Sequence, residues 1–168
     1  MRRSDAGAVR SCSRSPKVAF VTNYENSGML SEFTFGSGGT LAPNAAQPTV
    51  SASFDPSYLA VTPNGRYLYV GNSGTNTISQ YAVNASGSLS ALSPATVLTT
   101  NGQGGPIGLA VSPNGKQVYV ANYAGSTVGI LNVGTNGTLP PNPAQPTVSA
   151  TWRARGRSPS APMVRACT

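Results

Sequence analysis

Leu59-Ala60-Val61-Thr62-Pro63-Asn64-Gly65-Arg66-Tyr67-Leu68-Tyr69-Val70-Gly71-Asn72 is echoed by Leu109-Ala110-Val111-Ser112-Pro113-Asn114-Gly115-Lys116-Gln117-Val118-Tyr119-Val120-Ala121-Asn122, 50 residues further on. Each copy reads as a β-hairpin. In Thr62-Pro63-Asn64-Gly65 and Ser112-Pro113-Asn114-Gly115 the proline presets φ at the second turn position, and glycine takes the left-handed position after asparagine. The strand before the turn, strand a, covers about 57–62 and 107–112. It is a short continuous apolar run, which predicts burial on both faces. The strand after it, strand b, covers about 67–71 and 117–121. Strand alternation puts Tyr67 and Tyr69 on one face and Leu68 and Val70 on the other.

Outward from these hairpins the pattern continues. Phe20-Val21-Thr22-Asn23 is a third copy of the strand b ending, 49 residues before Tyr69-Val70-Gly71-Asn72. A Gly-x-Leu element recurs as Gly39-Thr40-Leu41, Gly87-Ser88-Leu89 and Gly137-Thr138-Leu139. The heptapeptide AQPTVSA stands at 46–52 and again at 144–150. Strand c is expected at 78–83 and 127–133, and strand d at roughly 46–52, 96–100 and 144–150. Four antiparallel strands every 50 residues make one blade of a β-propeller. A β-sandwich has no reason to repeat its sequence at this period, and a β-helix would need a shorter one.

The expected fold is therefore all-β, with about eleven strands in three successive sheets and no helix between residues 18 and 150. The strands read bcd, abcd, abcd, giving blades at about 17–56, 57–106 and 107–151. Closed propellers have about four to eight blades. The chain is thus expected to be a fragment, or an incomplete arc completed by the remaining blades or by further copies of itself. Such an arc leaves an apolar sheet face at each end.

The excess positive charge is confined to the flanks. The formal net charge is +7, yet charged residues are only 9% of the chain, far below the roughly 25% of an ordinary domain. Arg2, Arg3, Arg10, Arg14 and Lys17 precede the repeat, and Arg153, Arg155, Arg157 and Arg165 follow it. The patterned region is close to neutral, so it offers no basic face to nucleic acid. Residues 67–115 carry no charge but are interrupted every few residues by Asn, Gly and Ser, which argues against a membrane span. The N-terminus lacks the apolar run of a signal peptide, which leaves cytoplasmic and extracytoplasmic locations both open.

Residues 1–16 form an unpatterned basic segment. Residues 152–168 form a basic tail that is expected to be disordered and frameshifted. Grouping the third base of each codon from Arg157 onward with the first two of the next permits Leu-Ala-Val-Ser-Pro-Asn-Gly-x-x-Val-Tyr, the pattern of Leu109 to Tyr119. This holds if Ser158 and Ser160 use TCN codons and Arg165 a CGN codon. The glycine triplet is fixed by Met163 and Val164. Cys12 and Cys167 lie in these flanks and are expected to form no disulfide.

The Phe/Tyr-Val-x-Asn strand, the Leu-Ala-Val-Ser/Thr-Pro-Asn-Gly turn and the Gly-x-Leu element resemble the YVTN-repeat, lactonase-type seven-bladed β-propellers, over residues 17 to 151. That family includes bacterial 6-phosphogluconolactonase-like proteins and many repeat proteins without a known activity, so the resemblance implies a blade type and a link to carbohydrate metabolism.

The chemistry legible in the residues is sparse. There is no histidine, hence no Ser-His-Asp arrangement and no Cys/His metal pattern. No phosphate-binding glycine loop precedes a helix, because Gly102-Gln103-Gly104-Gly105 leads into a strand. Neither metal nor cofactor is expected. Topology places the b–c and d–a loops on one edge of the arc. Glu25, in a b–c loop, and Asp55, in a d–a connection, form the one candidate catalytic pair, able to activate water against a lactone carbonyl. The opposing reading makes both ordinary loop acids, with Asp55-Pro56 as turn chemistry. Glu32 is expected on a solvated face of strand c. Asn23, Asn72 and Asn122, with Tyr24 and Tyr123 beside two of them, are candidate contacts for a polar ligand or sugar ring. Alternatively the asparagines start the b–c turns and the tyrosines cover loop backbone. The expected function is a binding or scaffold module without catalysis in this chain. The alternative is a sugar-lactone hydrolase of the 6-phosphogluconolactonase-like kind.

Overall fold

The computed structural model describes residues 18–24, 28–99, 104–140 and 147–149. Among them there is no helix. There are twelve strands: β1 (Val18–Asn23), β2 (Met29–Phe35), β3 (Leu41–Pro43), β4 (Thr49–Ser51), β5 (Pro56–Val61), β6 (Tyr67–Asn72), β7 (Thr77–Val83), β8 (Leu89–Leu98), β9 (Pro106–Val111), β10 (Gln117–Asn122), β11 (Thr127–Asn132) and β12 (Thr147–Ser149). They form three four-stranded sheets, β1-β2-β3 with β4 also on β2, β5-β6-β7-β8, and β9-β10-β11-β12. Every pairing is antiparallel. This is the three-blade arc that the repeat implies.

The proline turns form as their residues dictate. Gly65 and Gly115 take φ of 70° and 69°. Thr62 Oγ1 donates to Asn64 Oδ1 and accepts from the Tyr67 N–H, at 2.7 and 3.0 Å. Ser112 repeats both contacts with Asn114 and Gln117. The hydroxyl at the turn start therefore closes the corner and is itself buried.

Strand d departs from expectation. It begins at the leucine of the Gly-x-Leu element, earlier than the reading of 46–52 and 96–100. Gly87 N–H donates to Asn84 O and Asn84 N–H to Ser88 O, closing a c–d turn that hands Leu89 to the sheet. The strand then loses register against β7 between Ser79 and Tyr81. In the first blade the same irregularity splits strand d into β3 and β4, which accounts for twelve strands where about eleven were expected. Proline at Pro94 and at Pro43 and Pro48 supplies no N–H for a continuous ladder.

Strand a is also less buried than its apolar run suggested. In β5, Tyr58 and Val61 are exposed, and most of β9 is half-buried. Strand a is an edge strand of the second and third sheets, so it lacks a neighbour on one side.

The core lies between blades. Leu68, Val70, Tyr81 and Leu89 of the second blade pack on Leu30, with Phe20 and Val50 of the first around them. Tyr69, Ile78 and Val97, on the other face of the second blade, pack on Val118, Val120, Leu131 and Leu139 of the third. Each such fully buried side chain stabilises by about 2 kcal/mol. The strand alternation read from Tyr67 to Val70 thus supplies both interfaces.

Hydrogen bonds couple the same interfaces. Tyr69 Oη donates to Gly137 O, and Tyr81 Oη to Ser51 O, both at 2.6 Å. Burial raises the pKa of both phenols, so both remain donors. Glu32 is not on a solvated face: it is fully buried, and its Oε1 accepts the Leu89 N–H of the next blade at 3.2 Å. Gln80, fully buried at the matching position, accepts the Leu139 N–H of the blade after that, at 2.8 Å. A polar side chain in strand c therefore latches the first blade to Leu89, the first residue of β8, and the second blade to Leu139, the leucine of the third Gly-x-Leu element. The sequence reading missed this, although Glu32 opposite Phe20 and Gln80 opposite Tyr69 are equivalent pairs.

Candidate functional site

The edge carrying the b–c and d–a loops is built from main-chain bonds. Ser73 N–H donates to Asp55 O, and one blade later Tyr123 N–H donates to Gly105 O, both at 2.9 Å. Asp55 and Gly105 are thus the same corner. Both have positive φ, 53° at Asp55 and 72° at Gly105, and both precede the proline that opens strand a. The left-handed region costs an L-residue of order 1 kcal/mol, and glycine nothing of the kind. The next blade shows that glycine serves this corner, yet the second blade carries a carboxylate. The carbonyl of Asp55 is further held by the hydroxyls of Ser57 and Ser73, at 3.0 and 3.2 Å. No hydrogen bond to its carboxylate occurs among the described residues, and the side chain lies over Gly74.

The same edge carries exposed aromatic rings. Tyr24 and Tyr123 follow the ends of β1 and β10 and are exposed. Phe54 precedes Asp55 and is 60% exposed, and Tyr58 near the start of β5 is 43% exposed. The first two were singled out from sequence. Phe54 and Tyr58 were not, because an aromatic beside an apolar run reads as core; exposure follows only from the edge position of strand a.

The asparagines hold the b–c corners. Asn72 is fully buried, and its Nδ2 donates to Thr77 Oγ1 and Ser79 Oγ at 3.0 and 2.9 Å. Asn23 Nδ2 donates to Ser31 Oγ at 3.0 Å, and Asn122 Nδ2 to Thr127 Oγ1 at 3.4 Å. Each ties the end of strand b to the start of strand c. Glu25, Trp152 and both cysteines lie outside the described residues, as do the two flanks. Arg66 and Lys116, the cations among the described residues, sit in the a–b turns at the opposite edge.

The family model described as lactonase, seven-bladed β-propeller, matches residues 18–160. The chain belongs to that family. No curated protein sequence matches it. Among solved structures it is similar to a candidate 6-phosphogluconolactonase from Bacteroides fragilis, at 22% identity and a TM-score of 0.66, over 80% of this chain and 37% of that one. A second candidate 6-phosphogluconolactonase, from Bacteroides uniformis, gives 21% identity and 0.66, over 79% and 38%. The periplasmic gluconolactonase of Pseudomonas aeruginosa gives 23% identity and 0.61, over 80% and 40%. At these identities the likeness is one of fold. The chain spans about two fifths of the length of these structures, in agreement with three blades of a seven-bladed family. Among the described residues no three acids, cysteines or histidines gather where a metal could sit, and no helix is long and apolar enough to cross a membrane.

Proposed function

We propose that this lactonase-family arc is a binding module that receives a small polyhydroxylated ligand, of the sugar-lactone class, on its b–c and d–a edge. The observation that carries this reading is Asp55. It keeps a carboxylate at a left-handed corner where the following blade uses Gly105, and that carboxylate is not consumed by the fold among the described residues. Backbone strain retained at a residue with a free polar group is the signature of a site with a use. Exposed Phe54 and Tyr58 flank it, and with Tyr24 and Tyr123 on the same edge they provide ring faces on which a sugar stacks, while Asp55 accepts its hydroxyls. Asn23, Asn72 and Asn122 support the loops that carry these groups. Arg66 and Lys116 lie away from this edge, which favours an uncharged ligand over a phosphorylated one.

The second reading, hydrolysis of the lactone, also draws on Asp55, with Glu25 as its partner in general-base activation of water. The two are separated by titrating the chain with gluconolactone and with glucitol, an uncharged polyol that cannot be hydrolysed, and by following lactone opening in parallel. A binding module binds both, weakened at least tenfold by Asp55→Asn, and leaves the rate of lactone opening at the solvent rate. Turnover abolished by Glu25→Gln establishes the hydrolase. Absence of binding to either compound removes the proposal.

A further inference from the structure

Each end of the arc presents a sheet face that is uncovered among the described residues, and the two faces are not alike. Tyr119, Val128, Ile130 and Val148 share the outward face of the third blade. By repeat position they are the counterparts of Tyr69, Ile78, Gln80 and Val97, the second-blade face that packs on the third. Ala19, Val21, Phe33 and Leu41 share the outward face of the first blade. They are the counterparts of Val118, Val120, Leu131 and Leu139, the third-blade face that receives it. Val21, Leu41 and Val148 are 46%, 55% and 58% exposed, whereas Val120, Leu139 and Val97 are buried.

We propose that the outward face of the third blade docks head to tail on the outward face of the first blade in a second copy of this chain. The internal interface between the second and third blades is the template, since each buried apolar residue of that interface has its apolar counterpart on the two open faces; Leu109 and Val111, which pack beside it from strand a, have none, because no strand a precedes β1 among the described residues. Neither open face carries a charged residue among its strand positions, so no like charges oppose the contact. Two positions on the third-blade face bear on this contact. Ile130 replaces the latch position held by Gln80, so no buried amide on this face needs a partner. Tyr119 corresponds to Tyr69, whose hydroxyl donates to Gly137 O across the internal interface. In the single chain Tyr119 Oη donates to Gln117 Oε1 of its own strand at 2.9 Å. In the pair its acceptor is the equivalent carbonyl, Gly39 O of the second copy. The contact is heterologous, because different surfaces meet.

The test uses the full chain and two blocking variants, Ile130→Arg on the third blade and Val21→Arg on the first. Molar mass is followed by light scattering over a concentration series. Wild type is expected to associate reversibly. Each blocked variant alone is expected to be monomeric, while an equimolar mixture forms one-to-one pairs, because each variant retains one competent face. Tyr119→Phe is expected to weaken association about tenfold, the worth of one hydrogen bond. Circular dichroism matching wild type shows that the variants are folded. A monomeric wild type, blocked variants that still associate, or a mixture that stays monomeric each overturns the proposal, and leaves further blades as what covers these faces.

Discussion

Replacing Gln80 with glutamate tests whether the inter-blade latches are matched to their partners. The two latch residues differ by one atom type, and their surroundings explain which is which. Gln80 accepts the Leu139 N–H with its oxygen and donates its Nε2 to Pro94 O at 2.6 Å. Glu32 accepts the Leu89 N–H with one oxygen and the Asn44 Nδ2 amide with the other, both at 3.2 Å. An amide meets a carbonyl at position 80, and a carboxylate meets an amide at position 32. An ionised glutamate at 80 would turn a second acceptor toward Pro94 O in a fully buried site. The neutral acid escapes this, because its O–H donates to the same carbonyl. The variant therefore pays at neutral pH by holding a proton. Its folded-state affinity for that proton lies above the unfolded value, so stability is retained below the unfolded range and lost as pH rises. The loss grows by about 1.4 kcal/mol per pH unit above about 4.3, with a ceiling of about 3.5 kcal/mol at neutral pH. Urea denaturation of both proteins at about pH 4 and about pH 7 measures it. The variant should match wild type to within about 1 kcal/mol at the lower pH and fall well below it at the higher. A difference from wild type that is the same at both pH values refutes the matching argument.

Burial holds the Glu32 carboxyl above its usual range, only partly offset by the Leu89 N–H and the Asn44 amide. Wild-type stability attributable to this group should thus be fullest in acid and decline as pH rises through that elevated value; the slope, read from urea melts against pH, should flatten in Glu32→Met. Tyr69→Phe strands the buried Gly137 carbonyl and should cost about 1–2 kcal/mol of unfolding free energy. Gly137→Ala should cost more, at least about 2 kcal/mol, because φ there is 81° and the added methyl would overlap the Tyr67 ring; a thermal midpoint equal to wild type would contradict the inter-blade contact. Asp55→Gly should raise stability by about 0.5 kcal/mol while weakening ligand binding, the opposite signs being diagnostic of a strained functional corner; a loss of stability would show instead that the aspartate serves the turn.

The sequence by itself determined the blade. Pro-Asn-Gly turns, the alternation from Tyr67 to Val70 and the 50-residue period are local properties, and local properties settle where strands run and which residues share a face. The b–c and d–a edge was legible for the same reason, since antiparallel order alone brings Tyr24, Asp55 and Tyr123 to one side. Only the tertiary structure decided what each face meets. Glu32 looked solvated because alternation does not say whether another blade covers its face; the partner is Leu89, far along the chain. Strand a looked buried because an apolar run does not reveal that the strand lies at the sheet edge. Asp55 was open to two sequence readings, candidate catalytic acid and turn chemistry, and only the folded backbone placed it at the same left-handed corner as Gly105. Asn72 and Tyr123, both polar-capable residues at the end of a strand b, parted company, one wholly enclosed and the other exposed. A strand is fixed by interactions between near neighbours, whereas burial, proton affinity and strain depend on groups that only packing brings together.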